Sequence, residues 1–261
     1  TLTLTGAGTV VVRTSEAGDG NTTAATPVDQ SFTVAKATLT VTADAKSRVY
    51  GAANPTLTAT ITGYVNNETS TVISGAAAVT TATTTTSNVG GYTITAAAGT
   101  LSATNYDFSF TGGTLTVSKA ALTVTAEAKS RTYGDANPTL TATITGYANS
   151  ETSSVVSGTP VLSTGASATS NVGGYTITAA LGSLSATNYS FGFADGTLTV
   201  GKAALTVTAD NQTKVYGAAN PTLTATITGF KNSQTTAVLT GTAALSTVAA
   251  TGSSVASYAI T

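Results

Sequence analysis

Apolar and polar residues alternate along most of the chain. Over residues 38–43, Leu39 and Val41 fall on one side while Thr38, Thr40 and Thr42 fall on the other. Over 56–62, Leu57, Ala59 and Ile61 alternate with Thr56, Thr58, Thr60 and Thr62. Tyr92 and Ile94 alternate with Thr93 and Thr95, Tyr106, Phe108 and Phe110 share a face, and so do Leu115 and Val117. A period of two with one apolar face predicts half-buried strands. The Thr face suits the pleated backbone and meets water without carrying charge.

Turn residues punctuate these runs. Tyr50-Gly51 and Asn54-Pro55 predict a turn region between the first two strands, and Gly63, Gly75, Gly90-Gly91 and Gly112-Gly113 bound the rest. Residues 66–74 lack alternation. They predict a short helix or helical turn, with Asn66 or Asn67 as N-cap, Glu68 in its first turn, and Val72 and Ile73 as its apolar contacts. Their Thr and Ser content makes that helix a weak one. The order is strand, loop, strand, short helix, then three or four strands.

The same pattern then recurs. LTVTADAKSRVYGAANPTLTATITGY begins at Leu39, LTVTAEAKSRTYGDANPTLTATITGY at Leu122, and LTVTADNQTKVYGAANPTLTATITGF at Leu205, a gapless period of 83 residues. This period exceeds that of solenoids, whose repeats run about 20–45 residues. It is long enough for a small domain with its own core. The predicted organisation is 1–37 as the C-terminal part of a preceding β domain, 38–120 and 121–203 as whole units, and 204–261 as an incomplete third. The chain reads as a window on a longer polypeptide. GGTLTVSKAALTVTA runs one unit straight into the next without a flexible spacer, so neighbours should be held stiffly.

Composition narrows the function. Charged residues make up 8% of the 261, the net charge is −1, and His, Cys, Met and Trp are absent. Without His or Cys there is no imidazole base, no thiolate nucleophile and no imidazole or thiolate metal site. Ten scattered basic residues give no electrostatic footprint for nucleic acid. No apolar run of 18 residues predicts a membrane span, and the start at Thr1 shows neither a basic n-region nor an apolar h-region. The absence of Cys leaves the redox compartment open.

YGxxNPxLTxxITG, then NVGGYTITA, LSATNYxFxF and GTLTVxKA in fixed order resemble the MBG repeats, mostly of β-grasp type, of large bacterial surface adhesins. The resemblance covers residues 39–261. It implies a β-grasp-like sheet with a small helix, tandem stalk domains and an exported, cell-surface setting. The third copy departs at Ser254-Val255-Ala256-Ser257-Tyr258, where the first two read NVGGY. Residues 1–35, with GTVVV, AGDGN and DQSFTVAKA, resemble the last hairpin of a bacterial Ig-like domain.

Candidate chemistry is sparse. Tyr50, Tyr133 and Tyr216, with Tyr106 and Tyr189, could form an aromatic platform for sugars; half-buried core rings whose hydroxyls meet backbone groups are the better reading. The carboxylates Asp44, Glu127, Glu68, Glu151, Asp107 and Asp195 are too scattered for a calcium loop or a glycosidase pair. Lys46/Arg48 and Lys129/Arg131 read as charges that solubilise an edge strand. Lys36, Lys119 and Lys202 recur at the junctions and would suit an isopeptide bond only if buried beside an Asn and an acid. The Asn21, Asn67, Asn188 and Asn211 sequons carry little weight in a Thr-rich chain, and Thr-x-Thr runs read as an uncharged solvent face, not an ice-ordering array.

The expectation is therefore a mainly β chain of tandem β-grasp-like small domains with at most one short helix each, arranged as an elongated rod. No catalytic, cofactor-binding or metal-binding residue is assigned, and no cofactor is implied. The expected role is a non-enzymatic stalk or spacer of a bacterial cell-surface adhesin or extracellular fibre, of the kind found in biofilms. Alternatives are a self-assembling filament subunit completed by a neighbouring chain, and a carbohydrate-binding repeat module. The partners expected are the rest of a longer polypeptide, with self-association into fibres and surface glycans as further options, and neither nucleic acid nor membrane insertion. Low charge predicts indifference to salt.

Overall fold

A computed structural model describes residues 2–261. The chain is mainly β, with one short helical turn per repeat. It divides into two compact units. The first holds everything described up to Ala121 together with Tyr147–Val155 and Ala186–Ser190; the second holds Leu122–Gly146, Val156–Ser185 and Phe191–Thr261.

Strands β1 (Gly8–Thr14) and β2 (Val28–Val34) form an antiparallel hairpin ahead of the first repeat. The first repeat then supplies β3 (Ala37–Ala43), β4 (Lys46–Val49), β5 (Ala59–Thr62), β6 (Ala78–Thr80), β7 (Gly90–Ala97), β8 (Tyr106–Thr111) and β9 (Gly113–Ser118). These strands divide between two sheets, one ordered β5-β3-β8 and the other β4-β9-β7-β6. β3 pairs β5 antiparallel, with Val41 opposite Ile61, and pairs β8 in parallel. β4 pairs β9 in parallel, and β9 pairs β7 antiparallel, with Leu115 opposite Tyr92.

The two sheets arise because the chain changes sheet twice, at Asp44–Ala45 between β3 and β4 and at Gly112 between β8 and β9. Where the two bends face each other the backbones nearly touch. A Cβ on Gly113 would lie 2.4 Å from the Ala43 carbonyl oxygen, so only Gly fits. The core of the repeat gathers Val41 and Ala43 from β3, Ile94 and Ala96 from β7, and Leu115 from β9, with Phe108 packed against them. Of the aromatic trio read on one face, Tyr106 and Phe108 point inward while Phe110 is exposed past the core's edge.

The helical element is a single 3-10 turn, Ser70–Val72, with Thr69 at its N-cap. Neither Asn66 nor Asn67 caps it. Both sit at positive φ (55° and 58°) as the central residues of a turn closed by the Glu68 N–H donating to the Val65 carbonyl at 3.0 Å. Asn tolerates this left-handed backbone better than most residues, which displaces the helical turn towards Ser70. Glu68 consequently lies ahead of the helical turn and is directed elsewhere.

The second repeat has the same plan: β10 (Ala120–Ala126), β11 (Lys129–Thr132), β12 (Ala142–Thr145), β13 (Val161–Thr164), β14 (Gly173–Ala180), β15 (Tyr189–Ala194) and β16 (Gly196–Gly201). Its sheets are ordered β12-β10-β15 and β11-β16-β14-β13. The third copy keeps only β17 (Thr206–Ala209) paired antiparallel with β18 (Ala225–Thr228), a 3-10 turn at Thr236–Val238 and an isolated bridge Thr247–Ile260. Val207 there is 53% exposed, whereas the matching Val41 and Val124 are fully buried. Among the described residues no helix is long and apolar enough to cross a membrane.

Candidate functional site: the joint between repeats

The side chains that carry structure-specific chemistry meet where one repeat abuts the next, inside the first compact unit. On the near side, Val49–Ala52 form a turn closed by the Ala52 N–H donating to the Val49 carbonyl at 3.1 Å, with Gly51 at φ +84°. On the far side, Ala148–Glu151 form a turn closed by the Glu151 N–H at 2.9 Å, with Asn149 and Ser150 at φ 52° and 60°. The two turns are in van der Waals contact. A Cβ on Gly51 would stand 2.4 Å from the Ala148 Cβ.

The joint is closed by a carboxylate shared between two tyrosines. Tyr50 is buried and its hydroxyl donates to Glu151 Oε1 at 2.7 Å. The Tyr189 hydroxyl donates to Glu151 Oε2 and accepts from the Ala148 N–H at 3.0 Å. The Tyr50 and Tyr189 rings meet edge to face, centroids 5.5 Å apart. Burial, and then donation to Glu151, push the Tyr189 phenol up to about 12. Donation to Glu151, and then burial, raise that of Tyr50. Burial disfavours the charged phenolate, and only the neutral phenol can donate to a carboxylate, so both causes act in the same direction.

Asparagines make a second set of ties. Asn188 Nδ2 donates to Asn88 Oδ1 at 2.9 Å, while Asn188 Oδ1 accepts the Val89 N–H at 3.0 Å. Asn149 Nδ2 donates to the Thr85 carbonyl at 3.2 Å, and Lys119 Nζ donates to the Ala186 carbonyl at 3.1 Å. The hairpin ahead of the first repeat uses the same device. The Ala7 N–H donates to Asn105 Oδ1 at 3.0 Å, and Lys36 Nζ reaches the Ala103 carbonyl at 3.5 Å. The pairing is also shared: Gly8 faces Val34, Gly90 faces Val117 and Gly173 faces Val200.

The step from the second to the third repeat, inside the second unit, keeps the frame and changes the chemistry. Asn232 Nδ2 donates to the Ala168 carbonyl at 3.1 Å, as Asn149 does to Thr85. A Cβ on Gly134 would lie 2.3 Å from the Lys231 Cβ. Glu151 is replaced by Gln234, and an ion pair between Lys231 Nζ and Asp135 Oδ1 at 3.0 Å appears instead.

The other candidates take structural places. Tyr106 is buried and donates to Glu68, which raises its pKa, and Tyr133 is half-buried. Only Tyr216 of the five rings is largely exposed, in the third copy. Asp44 accepts from Thr58 and from Thr60 (2.7 Å for the latter), and these bonds hold its carboxyl below the usual range. Glu127 accepts from Thr141 and from Lys129 at 3.1 Å. Asp195 accepts the Ala179 N–H at 3.2 Å, and Asp107 lies 3.8 Å from Lys36.

Arg48 departs from the edge-charge reading. β4 is an edge strand, yet the Arg48 side chain turns inward and the residue is only 7% exposed. Nε donates to Asn54 Oδ1 at 2.8 Å, Nη1 to the Val49 carbonyl at 3.2 Å and Nη2 to the Thr84 carbonyl. The planar guanidinium thus ties β4 to the Asn54 side chain and the Thr84 carbonyl while bonding back to its own strand, a fixed fork that a Lys ammonium does not reproduce. Arg131 makes the same three bonds through Asn137, Thr132 and Ser167.

Residue reasoning missed Asn88, Asn188 and Glu151 as joint residues, and it read Gly51 as a turn residue and Tyr50 as a core ring with its hydroxyl on a backbone group, where the structure gives Glu151 as the partner. The recurrence of Tyr-Gly at identical spacing was the available signal. A family model described as MBG domain (YGX type) matches residues 39–116, 122–199 and 205–261. The chain belongs to the MBG domain family. In the first repeat the Tyr-Gly pair, Tyr50-Gly51, meets the following repeat through both residues, and in the second Gly134 does so against Lys231. No curated protein matches the chain. The match makes residues 39–261 a tandem MBG repeat region of adhesin type, a structural kind of domain. The model leaves residues 1–38 unmatched.

The departure at 254–258 preserves one contact. Tyr258 OH donates to the Ser254 carbonyl at 3.0 Å, as Tyr92 does to Asn88 and Tyr175 to Asn171, both at 2.8 Å. The carbonyl acceptor at the start of the segment tolerates Ser for Asn because only backbone is used.

Proposed function

We propose that this MBG region is a non-enzymatic stalk or spacer of a bacterial cell-surface adhesin, working outside the cell. The observation that carries the reading is the joint. Consecutive repeats are seated by the same turn-to-turn contact and the same asparagine tie, Asn149 to Thr85 and Asn232 to Ala168. A spacer needs this, because a reproducible joint converts repeat number into reach. The buried rings of Tyr50, Tyr106 and Tyr189 leave these three tyrosines unavailable for stacking on a sugar.

The test is electron microscopy of the producing cells with a gold-labelled antibody against the repeats. Periodic label along surface threads is the expected outcome. Label confined to the cytoplasm would overturn the proposal.

A further inference from the structure

The two ends of the first repeat are held together by one continuous parallel ribbon. Ala37–Thr42 pair with Tyr106–Thr111, and Lys46–Val49 pair with Leu115–Ser118. The offset is 69 residues at both ends: Ala37 faces Tyr106 and Val49 faces Ser118. The bend between sheets therefore costs no register. The ribbon is closed at its start by the Ala37 N–H donating to the Asn105 carbonyl at 3.0 Å and at its finish by the Tyr50 N–H donating to the Ser118 carbonyl at 2.8 Å. Side chains lace it further: Ser109 Oγ donates to the Leu39 carbonyl at 3.3 Å and Ser118 Oγ to the Arg48 carbonyl at 3.2 Å.

We propose that this ribbon is a tension-bearing shear clamp, so that each complete repeat resists being pulled open along the chain. The chain enters the repeat at Ala37 and leaves after Ser118. Because the paired strands are parallel, these points lie at opposite ends of the ribbon. Tension along the chain thus loads the ladder in shear, and its hydrogen bonds must fail together. Tension applied to neighbouring ends would open them one at a time. Sliding would also drag Leu39, Val41, Leu115 and Val117, each essentially fully buried, through a close-packed core. The second repeat shares the later half of this ribbon, with Lys129 facing Leu198 and Thr132 facing Gly201, again offset by 69, and its β10 lies beside β15. Rupture under load follows the unfolding barrier rather than equilibrium stability, so a clamp can be strong in a domain of ordinary stability. The use of such a clamp rests on the spacer reading; its existence does not.

The test is single-molecule pulling on residues 1–261. The chain has no Cys, so introduced thiols are unique handles. Ala35→Cys with Ala121→Cys loads the first ribbon in shear, and Ala35→Cys with Thr104→Cys unzips it. Lys119→Cys with Lys202→Cys and Lys119→Cys with Thr187→Cys repeat the comparison on the second ribbon. Rupture forces several-fold higher in shear than in unzipping, at equal thermal midpoints, are expected in both repeats. Equal forces in whichever repeat keeps its midpoint would overturn the clamp. Surface labelling of cells is independent of this outcome, so the clamp and the spacer reading fail separately.

Discussion

Tyr50 donates its hydroxyl to Glu151 of the following repeat at 2.7 Å, across a joint in which no linker intervenes. The bond is made by a buried phenol to a carboxylate, and bonds to charged groups contribute about 1.5–3 kcal/mol where they are well formed. Tyr50→Phe keeps the ring and its edge-to-face contact with Tyr189 and removes only this bond. It should lower stability in urea by about 1–2 kcal/mol. Tyr133→Phe, whose counterpart across the next joint is Gln234, should cost less. Equal losses would deny the Tyr50–Glu151 bond its role.

The same cluster sets an alkaline limit. The Tyr50, Tyr106 and Tyr189 phenols are raised by their carboxylate partners and by burial, Tyr189 to about 12. The folded chain therefore holds these protons more tightly than the unfolded one, whose phenols titrate near about 10. Their contribution is fully present below that pH and is lost as pH climbs towards about 12. Thermal midpoints should fall over that window, and the fall should shrink in Tyr189→Phe. A flat profile there would contradict the assignment.

Gly51 has two reasons to be Gly, and Ala offends both. Its φ of +84° is strained for any L side chain, and the added methyl would sit 2.4 Å from the Ala148 Cβ. Gly217 has φ +81° with open space around it. Gly51→Ala should therefore destabilise by more than Gly217→Ala, by about 1–2 kcal/mol. Matching losses would mean that the joint contact adds nothing to the backbone term.

Much of this was legible in the residues. Alternation placed Leu39, Val41, Ile94 and Leu115 in the core, and the 83-residue register marked off the repeats. What was not legible depends on contacts distant in sequence. Arg48 reads as an edge charge because its acceptors, the Thr84 carbonyl and Asn54, converge only after β4 has paired with β9. Asn66-Asn67 read as helix caps because Asn serves equally in caps and in left-handed turns. Division into two sheets depends on backbone approach at Gly113, and a doublet of glycines announces a bend without saying what lies opposite. Glu151 looked idle because one of its tyrosine partners sits in the preceding repeat.

Arg48 offers a test of how far its buried charge matters. Arg48→Met would take one donor each from Asn54 Oδ1 and the Thr84 carbonyl, which keep the Thr83 hydroxyl (3.3 Å) and the Ser87 N–H (3.0 Å), a cost of about 1–2 kcal/mol. Arg48→Lys should cost about half that. The third copy carries Lys214 in this place, where Nζ donates to the Ala250 carbonyl at 2.7 Å and the Ala218 carbonyl at 3.3 Å. Chemical unfolding of the two variants decides it, and equal losses would mean that the donor count is irrelevant.

The two joints should differ in their response to salt, although the chain as a whole is poor in charge. Lys231 and Asp135 form a pair whose side chains are 42% and 47% exposed, and such pairs are worth about 0.2–1 kcal/mol. Screening shortens from about 10 Å at 0.1 M to about 3 Å at 1 M salt, which removes most of that. The Tyr50 phenol is neutral and buried, so its bond to Glu151 has no comparable sensitivity. Two amides report on the two joints in parallel positions: the Gly51 N–H donates to the Thr85 carbonyl and the Gly134 N–H to the Ala168 carbonyl, both at 3.2 Å. Those carbonyls also accept from Asn149 and Asn232 of the following repeats. Hydrogen exchange at Gly134 should quicken at high salt and in Asp135→Ala, while exchange at Gly51 stays unchanged. If both amides respond alike, the ion pair has not replaced the tyrosine–carboxylate contact as the element that distinguishes the second joint.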